Sequence, residues 1–88
     1  MKKITLLHAT RATPERAINT KDIWIKRASN PQNVEHIFGI QADDESSFDL
    51  LKNENIAITS PPPKWASSSV SNWNAAAALS TGDILVVI

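Results

Sequence analysis

The sequence predicts an α/β domain built on a four-stranded, mostly parallel sheet. Three observations carry this. Short apolar runs rich in β-branched residues recur four times, segments with helical spacing and capping chemistry separate them three times, and the connections between them are short. Alternation of this kind closes through right-handed crossovers. The expected architecture is therefore a Rossmann-like βαβαβαβ unit occupying residues 1–88 as a single domain.

Ile4-Thr5-Leu6-Leu7 has no helical spacing and runs into the polar stretch His8 to Thr13, so it reads as a strand ending in a loop. Thr13-Pro14-Glu15 then offers a capping hydroxyl, a proline for the first helical position and an acid near the positive end of the helix dipole. The helix runs from about Pro14 to Ala28, with Ala17, Ile18, Trp24, Ile25 and Ala28 on one arc and Lys21 in its middle, where its stem can snorkel. Asn30-Pro31 ends it.

Val34 to Ile40 is the second strand, and Gln41 to Ser46 after it carries helix-start chemistry, with Asp43 or Asp44 as the cap. The second helix, about Asp44 to Lys52, presents Phe48 and Leu51 at helical spacing. Ile56 to Thr59 is a short third strand. Ser60-Pro61-Pro62-Pro63-Lys64 reads as a stiff loop, because consecutive prolines fix φ and remove donors. Ser67 to Ser69 caps a third helix in which Val70, Trp73 and Ala77 share a face, and Thr81-Gly82 ends it. Asp83 to Ile88 is an unbroken apolar run suited to a strand covered on both faces.

Composition narrows the function classes. Nine Lys and Arg balance nine Asp and Glu, so no net field draws the chain to nucleic acid or to an anionic membrane. There is no cysteine, which removes disulfides and thiolate chemistry and suits a reducing, cytoplasmic setting. The basic start, Met1-Lys2-Lys3, is followed by too short an apolar run for a signal peptide or a membrane span. Gly39 and Gly82 are the only glycines, so neither a Gly-x-Gly-x-x-Gly dinucleotide loop nor a phosphate-binding loop of the Walker type is present. His8 and His36 show no partner at ligand spacing and read as structural, with no metal assigned. Trp65, beside the three prolines, is the tryptophan most suited to face a ligand or partner.

In an open parallel sheet the ligand crevice lies beyond the carboxyl ends of the strands. The residues there resemble a known family. Leu6-Leu7-His8-Ala9-Thr10-Arg11-Ala12-Thr13-Pro14-Glu15, then Trp24, Val34-Glu35-His36-Ile37-Phe38 and Asp43-Asp44, followed by Trp73-Asn74-Ala75-Ala76 and Ser80-Thr81-Gly82-Asp83-Ile84-Leu85-Val86, form an ordered set. This set is similar to the front half of family 2 glycosyltransferases of the A-type fold. The resemblance implies a nucleotide-sugar site formed by Ala9, Thr10, Arg11, Gln41, Asp43 and Asn74. Gln41 stands where the family usually has aspartate; an amide still presents a donor and an acceptor together. The family's Asp-x-Asp, which holds a divalent cation such as Mn or Mg in a complete member, would follow Ile88. No cofactor is expected within this chain.

The resemblance thus implies a nucleotide-sugar-binding half domain that binds its ligand weakly and transfers nothing. An alternative is a noncatalytic α/β interaction module that dimerises through its C-terminal strand. A response-regulator-like domain with Asp43 and Asp44 as an acidic pocket is a third reading, weakened by the lack of a recognisable fifth strand. In the A-type fold the fourth strand lies beside the first, opposite the second and third. Ile84 to Ile88 is then an apolar edge, from which a homodimer or a strand-pairing partner is expected.

Overall fold

The computed structural model describes residues 2–60 and 68–88. The elements run β1 (Ile4–Ala9), α1 (Pro14–Arg27), a 3₁₀ turn (Pro31–Asn33), β2 (Val34–Gln41), α2 (Glu45–Leu51), β3 (Ile56–Thr59), α3 (Ser68–Leu79) and β4 (Ile84–Val87). The strands form one sheet in the order β3-β2-β1-β4, with every pair parallel. This is the Rossmann-like α/β fold the alternation predicts, with β4 beside β1 as expected.

Register sorts the side chains between two faces. Opposite Leu7 stands Ile37, and these two join Ala57 and Ala76 in a core under α3. One residue out of phase, Phe38 and Ile40 join Ala17 and Leu51 in a second core under α1 and α2. Helices therefore cover both faces, as a parallel sheet requires. The chain moves outward from β1 to β3 with α1 and α2 on one face, then returns through α3 on the other to place β4. That reversal puts a topological switch point between β1 and β4.

Gly39 explains how closely α3 approaches. A Cβ built there would clash with the backbone carbonyl of Asn72, so only glycine lets the helix backbone lie against β2. This contact also sets the rotation of α3. The buried residues are Asn72 and Ala76, whereas Val70 is 51% exposed, which corrects the expected face of Val70, Trp73 and Ala77. Trp73 sits partly buried at the helix flank and donates its indole N–H to the Ile88 carbonyl at 3.2 Å.

Other helix expectations also shift. Thr13 precedes α1, but its hydroxyl donates to the Arg11 carbonyl rather than capping the helix. Trp24 leaves the core and is 45% exposed, whereas the buried residues of α1 are Pro14 and Ala17, with Ile18 packed beside them. Lys21 forms an ion pair with Glu54 at 3.0 Å. Of the two candidates Asp43 and Asp44, it is Asp44 that caps α2, accepting from Ser47 N, with Leu51 buried and Phe48 exposed. β4 is exposed on both faces rather than covered. The expected loop from Ser60 to Lys64 and the exposure expected of Trp65 fall, from Pro61 onward, outside the described residues.

At the amino ends of the strands, Glu35 gathers a network. Thr81 donates to it through both its backbone N–H and its hydroxyl, each at 2.9 Å, Thr5 donates at 2.9 Å, and Lys3 Nζ stands 3.3 Å away. The Thr81 backbone bond leads in holding the Glu35 carboxyl at about 2. The network fastens the α3–β4 connection to β1 and β2.

Candidate functional site

The carboxyl ends of β1 and β2 bring two loops into contact. Thr10 N donates to the Gly39 carbonyl at 3.2 Å, extending the pairing one residue past β1. Beyond it the chain turns at Ala12, which has φ 58, in the left-handed region where a side chain is strained. What holds that turn is Asp44. Its Oδ2 accepts from Ala12 N at 2.8 Å while its Oδ1 accepts from Ser47 N at 3.3 Å. One carboxylate thus caps α2 and fixes the loop after β1. Burial acts to raise the Asp44 pKa, and the hydrogen bonds from Ala12, Ser47 and Ser46 outweigh it, so the carboxyl ends below its ordinary value.

Arg11 spans the same two loops. Its Nη1 donates to Gln41 Oε1, and its guanidinium grips Asp43 through Nη1 to Oδ1 at 2.8 Å and Nη2 to Oδ2 at 3.0 Å. The bond to Asp43 raises the guanidinium pKa and lowers the carboxyl pKa. Gln41 is 2% exposed and ends β2 rather than lying in the following loop. With Oε1 taken by Arg11, its Nε2 is left as a buried donor with no partner.

Of the six residues expected at a nucleotide-sugar site, Thr10, Arg11, Gln41 and Asp43 are brought together, and Ala9 closes β1 beside them. Asn74 is not. It is exposed on the far side of α3, and the asparagine in its place is Asn72, 1% exposed, which donates Nδ2 to the Thr10 carbonyl at 3.2 Å. The contact of α3 with Gly39 decides this two-residue shift. Asn72 Oδ1 is a buried acceptor with no partner. The sequence held a signal for it, since Asn72 and Ala76 share one helical stripe of small or polar residues facing a glycine-bearing strand.

The acidic pair does not suit a divalent cation. Both Asp43 oxygens are held by Arg11, and both Asp44 oxygens by backbone and serine donors. Among the described residues no group of three His, Asp or Glu side chains comes together at metal-binding range.

The histidines, which show no partner at ligand spacing in the sequence, form a pair across neighbouring strands. His8 Nδ1 and His36 Nε2 are 2.9 Å apart on neighbouring strands, buried under α1 and stacked edgewise, with Phe38 against both rings. Their spacing of 28 residues hides this, because strand register and not sequence distance makes them neighbours. Desolvation lowers both pKa values, with His36 driven to about 3 by burial, then by the His8 and Lys21 charges. Among the described residues no helix is long and apolar enough to cross a membrane. No family of known proteins matches the chain, and neither a curated protein nor a solved structure proves similar to it.

Proposed function

We propose that the loops after β1 and β2 bind a nucleoside diphosphate sugar, and that the chain serves as a glycosyltransferase-like binding domain, catalytically incomplete by itself. One observation carries this reading. Gln41 Nε2 and Asn72 Oδ1 are a buried donor and a buried acceptor without partners among the described residues, at the carboxyl end of β1 and β2, where parallel sheets place their ligands. A uracil-type edge supplies the matching carbonyl and imide N–H. Arg11 lies over Gln41 with its side chain 44% exposed, and a diphosphate would compete with Asp43 for its guanidinium. Asn72 takes the part that the resemblance gives to Asn74. The absence of cysteine agrees with a cytoplasmic location.

Titration with uridine diphosphate, followed by amide shifts, tests the reading. Shifts at Thr10, Arg11, Gln41 and Asn72 that weaken in Asn72→Ala support it. No shift at millimolar ligand overturns it.

A second reading rests on β4. Ile84, Leu85 and Val87 are 45%, 46% and 55% exposed, and among the described residues no strand pairs with the outer edge of β4. Such an edge is a template for strand addition. A noncatalytic module that dimerises by pairing β4 with its copy would use it. Sedimentation at rising concentration tests this, and a monomer throughout overturns it.

A further inference from the structure

A groove of about 730 Å³ lies at the other end of the sheet from the polar cluster. Such a volume falls within the roughly 300–1,000 Å³ of small-molecule sites. Register fixes its floor. Ile4 stands opposite Val34, and Leu6 opposite Val86, so these four side chains emerge from one face of β2, β1 and β4. Ile23 and Trp24 of α1 make the wall. Ala17 and Ile18 pack α1 on the core of Phe38 and Ile40, whereas Ile23 and Trp24 farther along the helix stay exposed at the groove and Leu6 is buried at its bottom.

The polar groups are segregated to one end. Lys2 precedes β1 and Arg27 ends α1, so both stand where the strands begin, while Leu6 and Val86 lie deeper along the sheet. No acidic side chain lines the groove. Neither Lys2 nor Arg27 takes part in an ion pair among the described residues. The carboxyl end of α1 brings about half a negative charge to the same edge. Two full positive charges outweigh it.

We infer that this groove binds an amphiphile with one anionic head and an unbranched apolar chain, a medium- or long-chain carboxylate. Lys2 and Arg27 hold the head at the edge of the sheet, and the chain lies between Trp24 and the floor toward Val86. Burial of methylenes supplies the affinity. The cations select the head. A purely apolar partner surface would leave both cations unused.

The test compares sodium dodecanoate with dodecanol, each below its aggregation limit, by calorimetry and amide shifts. Saturable one-to-one binding is expected, with shifts at Ile4, Leu6, Ile23, Trp24 and Val86 and none at Arg11, Gln41 or Asn72. The double variant Lys2→Ala/Arg27→Ala should bind dodecanoate about tenfold more weakly while its affinity for dodecanol stays the same. Both substitutions are at exposed positions, and an unchanged thermal melt confirms the fold. Equal loss for both ligands, non-saturating uptake, or groove shifts that grow with protein concentration alone would each overturn the inference. Failure of uridine diphosphate to bind leaves it untouched, because the two sites lie at opposite ends of the sheet.

Discussion

His8 Nδ1 and His36 Nε2 meet at 2.9 Å in the interior of the sheet face under α1. His36 Nδ1 has no partner. The tautomer that leaves fewer buried N–H groups unpaired has His36 Nε2–H donating to His8 Nδ1. A proton on His36 places a charge in a buried site beside the His8 ring and Lys21, and a proton on His8 places one in the same buried face.

Stability should therefore fall as the pH drops below that of an ordinary histidine. The folded His36 pKa of about 3 lies below its unfolded value, so the unfolded chain binds the extra proton first. The stabilisation is complete above about 6.5 and is lost toward 3, at about 1.4 kcal/mol per pH unit for one fully shifted proton. Urea unfolding between pH 6.5 and 4.5 isolates the histidines, because the Glu35 contribution is lost only from about 4.5 down toward 2. A flat profile in that window would show that the pair protonates in the folded state.

Asp44→Ala should cost about 2 kcal/mol, near the top of the range for a cap, because the same carboxylate also holds Ala12 N. Asp44→Asn should recover part of it, since an amide oxygen still accepts. Chemical denaturation measures both. Equal losses in the two variants would mean that charge matters more than the hydrogen bonds.

At position 12 a glycine should stabilise the chain. A left-handed alanine costs roughly 1–2 kcal/mol, and the extra entropy of an unfolded glycine costs about 0.5–1 kcal/mol. Ala12 has φ 58, so the first effect wins and Ala12→Gly should gain about 0.5 kcal/mol. A lower melting temperature would contradict the turn geometry.

Gly39→Ala should be the most damaging of these changes, costing about 3 kcal/mol or preventing folding. The obstructing atoms are the Asn72 backbone, which cannot rotate away as a side chain would. Near-native amide shifts in α3 of this variant would show that the helix stands farther from β2.

Local sequence was enough for the order of strands and helices, the parallel sheet, the start of α1 at Pro14, an aspartate cap on α2 at Asp43 or Asp44, and the placing of the loops after β1 and β2 at the carboxyl ends. Those features follow from local chemistry and from the rule that parallel crossovers carry every strand in one direction. Tertiary structure alone decided which face of each helix is buried. Helical spacing admits several arcs of similar apolarity in α3, and the close approach at Gly39 selected the one carrying Asn72 and Ala76 instead of Asn74. It also decided that Trp24 opens a groove and that two histidines 28 residues apart share one hydrogen bond, since register joins residues that no sequence period relates.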